Sequence, residues 1–85
     1  MEWKIQFKKK AEKDLNKLPQ DYQNKVLAVL AIISKDPFAG KKLDGQLDGL
    51  YSYRIGPYRI VYKIYKKYLL IIIIRIGHRQ GVYKS

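Results

Sequence analysis

The stretch Tyr51-Ser-Tyr-Arg-Ile-Gly-Pro-Tyr-Arg-Ile-Val-Tyr-Lys-Ile64 decides the fold. Large apolar side chains recur at every second position on either side of Gly56-Pro57, the pattern of two half-buried strands joined by a tight turn. The first strand, Leu50 to Ile55, turns Tyr51, Tyr53 and Ile55 toward a core and leaves Ser52 and Arg54 on the other side. The second, Tyr58 to Tyr65, turns Tyr58, Ile60, Tyr62 and Ile64 inward and leaves Arg59, Val61 and Lys63 outside.

Downstream, Lys66-Lys67 turns the chain into a third strand, Leu69 to Gly77, which is apolar at both parities until Arg75. Such a run predicts an internal strand covered on both faces. It delivers the segment His78-Arg79-Gln80-Gly81-Val82-Tyr83. Upstream, Trp3 to Phe7 alternates as a strand with Trp3, Ile5 and Phe7 inward. From Lys8 to Leu18 the period changes to that of a helix, with Ala11, Leu15 and Leu18 on one stripe but no good N-cap. Pro19 stops that helix and suits the first turn of the next. The second helix, Gln20 to Lys35, carries Tyr22, Val26, Val29, Leu30 and Ile33 at helical spacing, and Asp36-Pro37 ends it. Phe38 to Gly49 reads as a loop pinned by Leu43 and Leu47.

The expected architecture is α+β and a single domain over residues 1–85. It comprises an N-terminal strand, an antiparallel helix hairpin and a three-stranded antiparallel meander, forming one sheet packed on the helices. The outward face then collects Arg54, Arg59, Lys63, Arg75 and Arg79.

Charge sharpens that picture. The chain has 18 Lys and Arg against 7 Asp and Glu, a formal +11. Residues 1–48 hold 10 of the basic and all 7 of the acidic residues; residues 49–85 hold 8 basic residues and no acid, net +8. An uncompensated field of this kind costs stability and speeds capture of a polyanion, nucleic acid first. A basic surface that serves only solubility is the plain alternative.

Several chemistries are excluded or poorly supported. With no cysteine there is neither a disulfide nor a thiolate metal site. One histidine and scattered acids give no metal-ligand spacing, so no metal and no cofactor is expected. No phosphate-binding glycine loop, dinucleotide fingerprint or nucleophile elbow occurs. The N-terminus lacks a signal-peptide pattern and the longest apolar run is too short for a bilayer, which leads to the expectation of a soluble cytoplasmic protein without membrane association.

What remains is Arg, His and Tyr on a sheet. These suffice for RNA cleavage by the substrate's own 2′-hydroxyl, where the protein moves protons and stabilises the charge that accumulates on phosphorus. Guanidinium groups, planar and always charged, suit the second task. A histidine, or a tyrosine whose pKa of about 10 is lowered by neighbouring arginines, suits the first. DNA lacks the nucleophile, so the chemistry predicts RNA.

Leu43-Asp-Gly45, the Tyr51–Tyr62 stretch and Gly77-His-Arg-Gln-Gly-Val-Tyr83 resemble the RelE/ParE superfamily of toxin–antitoxin toxins over nearly the whole chain. The last segment resembles the RelE branch, whose members cleave mRNA in the ribosomal A site; the ParE branch inhibits DNA gyrase. The resemblance implies that Arg59 and Arg79 contact the phosphate in the transition state. It implies that Tyr83 stacks on a base or transfers a proton, and that Arg54 stands where a supporting lysine is common. Ser52 falls where a second basic residue can occur, a departure that opens the identity of the general base between His78 and Tyr83. Lys63, Arg75 and Ser52 are candidate RNA-binding positions. The implied partners are a cognate antitoxin, the ribosome and mRNA, with operator DNA reached only through the antitoxin.

The residues also admit other readings. Arg54 and Arg59 could be solvated strand residues, Arg75 could pair with Asp44 or Asp48, and Tyr51, Tyr53 and Tyr62 suit a core. A ParE-like gyrase inhibitor and a non-catalytic RNA-binding module are the alternative functions.

Overall fold

Proline and apolar spacing set the helical part of the chain. The computed structural model describes residues 2–43 and 49–78. Helix α1 spans Lys9–Lys17 and α2 spans Gln20–Lys35, with Pro19 one residue ahead of α2. Ala11, Leu18, Val26, Val29, Leu30 and Ile33 are buried, and Leu15 and Tyr22 pack at their margin. The start of α1 at Lys8 has no side-chain cap. At the other end Asp36 closes α2, and its carboxylate accepts the Phe38 N–H at 3.2 Å, starting a single 3₁₀ turn over Pro37–Ala39.

Strands β1 (Lys4–Phe7), β2 (Lys41–Lys42), β3 (Leu50–Ile55), β4 (Tyr58–Tyr65) and β5 (Leu70–His78) form one sheet in the order β1-β5-β4-β3-β2. The β3–β4–β5 meander is antiparallel, and β1 joins it parallel to β5. The helices cover the face that presents Ile55, Ile60, Tyr62, Ile71, Ile73 and Ile76. The fold is therefore α+β as the alternation predicts, with two differences. Lys41–Lys42, inside the expected loop, is a fifth strand at the β3 edge. Strand β5 is internal, but its outward side chains Leu70 and Ile72 are half-buried rather than covered.

A β-bulge explains how one apolar run serves this sheet. Between Val61↔Arg75 and Tyr62↔Ile73 the ladder advances one residue on β4 and two on β5. Ile73 and Ile76 can then both point into the core, and Arg75 takes an outward register position instead of following the parity of Ile71 and Ile73.

Tyr62 is the polar anchor of the core. Its side chain is fully buried; the hydroxyl donates to the Pro37 carbonyl at 2.7 Å and accepts the Gly40 N–H at 3.2 Å. Its ring stacks on Tyr51, and Phe38 meets Tyr51 edge-on. Burial pushes the phenol up to about 12, against the opposing pull of the Gly40 N–H. The unfolded chain releases this proton near pH 10, so stability is complete below pH 10 and falls as pH rises from about 10 to 12. Tyr62→Phe is expected to cost about 2 kcal/mol at pH 7, because it strands the buried Pro37 carbonyl and the half-buried Gly40 N–H. It should also flatten the alkaline loss, which urea unfolding at pH 9 and pH 11 will check.

Candidate functional site

Gly56-Pro57 aligns the site. Gly56 has φ +57, and the proline ring holds Pro57 at negative φ, so the two-residue turn is of type II′ and keeps β3 and β4 in tight register. That register sets Arg54 directly opposite Arg59 and Ser52 opposite Val61. Two cations facing each other across a ladder are destabilising. Nothing in the packing of the core requires them there.

Each guanidinium has a defined position. Arg54 is exposed and its Nε donates to the Gly56 carbonyl at 3.2 Å, drawing it toward the turn. Arg59 is half-buried and its Nη1 donates to Ser52 Oγ at 3.3 Å. Ser52 and Val61 are each only 3% exposed, so the floor of the outward face is dry where its rim is charged. A cleft of about 300 Å³ opens above this floor, lined by Ala39, Gly40, Lys41, Ser52, Tyr53, Arg54 and Arg59. Among the described residues, three cations and no carboxylate line it. The arrangement can bind a phosphate with forked donors in a partly dehydrated setting, where such contacts are strongest.

The remaining predicted residues divide. Lys63 is exposed on the same face, four residues along β4 from Arg59 or about 13 Å away, with its Nζ 5.3 Å from the Tyr65 ring centroid. Ser52, expected to contact RNA, is buried and its hydroxyl is spent on Arg59; it positions the arginine rather than presenting itself. Arg75, expected on the RNA face or paired with Asp44 or Asp48, is instead held by α1. Its Nε donates to Asp14 Oδ2 at 2.8 Å, and the same oxygen accepts the Ile76 N–H at 3.0 Å. Strand β1 stops pairing at Phe7↔Ile73, which leaves this length of the β5 edge to the helix. His78 pairs with Tyr58 and its ring meets Tyr58 edge-on at 5.6 Å, on the helix side of the sheet. The structure does not bring it to Arg54 and Arg59. Arg79, Tyr83, Asp44 and Asp48 lie outside the described residues.

Sequence reasoning missed Lys41. Two residues cannot show a period, and the surrounding turn signals read as loop. The only hint was a lysine pair directly after a glycine.

Comparison with known proteins places this geometry. The model of the ParE toxin of type II toxin–antitoxin systems matches residues 5–83. The toxin RelG of Mycobacterium tuberculosis is 33% identical over 86 residues, covering 99% of each chain. A chain of the RelBE2 toxin–antitoxin complex from the same organism superposes with a TM-score of 0.86 at 32% identity, over 93% of this chain and 100% of that one. A chain of the archaeal RelE–RelB complex from Pyrococcus horikoshii gives 0.80 at 26% identity, with both chains fully covered. The strand-borne arginine pair thus sits on a scaffold shared with RelE proteins, and the chain belongs to the ParE toxin family of type II toxin–antitoxin systems as a RelE-like toxin.

Proposed function

We propose that this toxin is a ribosome-dependent mRNA endoribonuclease that cleaves by 2′-hydroxyl attack without a metal. The observation that supports it most is the opposed pair Arg54 and Arg59, which line a cleft with Lys41 and, among the described residues, with no acid. In the reaction a protein base removes the 2′-OH proton, and the 2′-oxygen attacks phosphorus. The P–O5′ bond then breaks with protonation of the departing 5′-oxygen. The products are a 2′,3′-cyclic phosphate and a 5′-hydroxyl. Arg59 is assigned to the non-bridging oxygens, which gain charge in the transition state. Arg54 supports it from the turn. Arg79 and Tyr83, which lie outside the described residues, are assigned by resemblance alone, Arg79 to the phosphate and Tyr83 to proton transfer or base stacking.

Proton transfer is assigned to Tyr83. His78 rests on Tyr58 across the sheet from the arginines, an arrangement that argues against its serving the same phosphate. The neutralising partner is an antitoxin, by analogy with the RelBE complexes, with operator DNA contacted through it. The site of action is the cytoplasm, where ribosome and message are found, and the net +8 of residues 49–85 favours an RNA-rich target.

The test is purified toxin on programmed ribosomes with mapped mRNA ends. Cleavage leaving cyclic-phosphate ends, and weakening steeply with salt, is expected; intact message at low salt rejects the reading. His78→Ala should keep the rate within a few-fold, whereas Tyr83→Phe should lower it about 10²-fold. The matched family model bears the ParE name, which favours gyrase inhibition as the second reading. A supercoiling assay on the same preparation separates the two.

A further inference from the structure

We propose that Lys41 is a third phosphate-binding cation of the cleavage site, occupying by way of the edge strand the role that Ser52 cannot fill. The proposal rests on the endoribonuclease reading. Register carries it first. Lys41 pairs with Ser52, so its side chain shares the outward face with Ser52, Arg54 and Arg59, whereas Lys42 pairs with Tyr51 at the opposite parity. Directly opposed residues have Cβ atoms about 5 Å apart, so the Lys41 stem rises beside the short serine. Lys41 lines the same cleft as the arginine pair, and it is exposed and therefore available to a ligand.

The second support is the anchoring of β2. A two-residue strand is far below the usual length and has little to hold it in place alone. Here the segment is fastened from both ends. Immediately before Lys41, the Gly40 N–H donates to the Tyr62 hydroxyl, which in turn donates to Pro37. Immediately after Lys42, the Leu43 N–H donates to the Leu50 carbonyl at 2.9 Å. A buried tyrosine thus fixes the backbone that carries Lys41, which is what a transition-state contact demands and a solubilising lysine does not.

Chemistry supplies the third. The pentacoordinate phosphorane carries more charge than the diester it comes from, and the two arginines are drawn to different anchors, Arg54 to the turn and Arg59 to Ser52. A compact ammonium entering from the β2 side can neutralise a non-bridging oxygen that neither fork covers. Lysines also protect sheet edges from aggregation, and that role predicts no effect on turnover.

Single-turnover cleavage of mRNA on programmed ribosomes distinguishes these roles. Lys41→Ala should lower kcat about 10²-fold with KM changed less than threefold, and should reduce the slope of log(kcat/KM) against log salt by about one. Lys42→Ala should leave both unchanged. Lys41→Arg should retain most activity, because it keeps a cation at the same position on the edge strand. Melting curves will show that the exposed substitution leaves the fold intact. If the wild type cleaves and Lys41→Ala cleaves within twofold of it, Lys41 is an edge lysine only and the proposal is overturned. If the wild type leaves message intact, the endoribonuclease reading fails and this assignment falls with it.

Discussion

Arg59→Ala is expected to lower ribosome-dependent mRNA cleavage by about 10³-fold while the protein stays folded. The size follows from where the guanidinium stands. It is half-buried over a floor formed by Ser52 and Val61, each 3% exposed, so its charge acts in a poorly screened setting. Loss of one preorganised donor from such a site costs about 10²–10³ in turnover. The upper end applies because a fork is lost, and because Ser52 keeps it aimed. Stability should fall by about 1–2 kcal/mol, since the buried Ser52 hydroxyl loses its partner while relief of the Arg54–Arg59 opposition offsets part of the cost. Arg59→Lys restores charge without the fork and should recover only part of the rate. Arg54→Ala should cost less, because Arg54 is exposed and tethered to the turn, and the double variant should fall short of additivity if both touch one phosphate. Single-turnover rates with parallel thermal melts check all four. Cleavage within tenfold of wild type for Arg59→Ala would remove this residue from the mechanism.

How much of this was readable beforehand depends on whether a residue's neighbours repeat. The alternation through Tyr51–Ile64 reports its own faces, and the bounds of β3 and β4 match it residue for residue. The helix ends are equally visible, because Pro19 and Asp36-Pro37 are local restrictions on the backbone. Where periodicity vanished, so did foresight. Residues Leu69–Ile74 are apolar at every position, so no pattern could reveal that a bulge sets Ile73 and Ile76 on one face. The Asp14–Arg75 pair spans 61 residues and depends on β1 ending early beside β5. Parallel pairing of β1 with β5 is likewise a property of the whole fold, although β1 itself was evident. The candidate site shows the same division. The outward positions of Arg54 and Arg59 were legible from parity alone. The sequence left open whether His78 joined them or packed against the body, and its pairing with Tyr58 sets it on the helix side. Lys41 had no pattern at all.

Gly40→Ala is expected to cost about 3 kcal/mol, lowering Tm by roughly 10–20 °C, and to reduce cleavage beyond what lost folding explains. Gly40 has φ −77 and ψ 177, an extended conformation open to any residue, so backbone preference is not the reason. Space is. A Cβ at Gly40 would collide with the Tyr62 hydroxyl and stand 2.7 Å from the Ser52 carbonyl oxygen and 3.1 Å from Tyr62 Cζ. Neither neighbour can give way, since Tyr62 is fully buried, bonded to Pro37 and stacked on Tyr51, and the Ser52 carbonyl is β3 backbone. The chain through Gly40 must lift instead. Overpacking costs about 1–3 kcal/mol, and a buried hydroxyl or N–H left unpartnered adds about 1–3 more. Lifting this segment also carries Lys41 away from its position opposite Ser52, so activity should fall at temperatures where the variant is still folded. Lys41→Ala should then add little on top of Gly40→Ala, the sign of two changes acting through one group. Gly49→Ala is the control for a glycine substitution: it has φ +92 and no described residue within 4 Å, so its expected cost is backbone strain of about 1–2 kcal/mol. Equal losses of stability from the two alanines, or full cleavage by folded Gly40→Ala, would show that the close packing of Gly40, Tyr62 and Ser52 does not hold the site together.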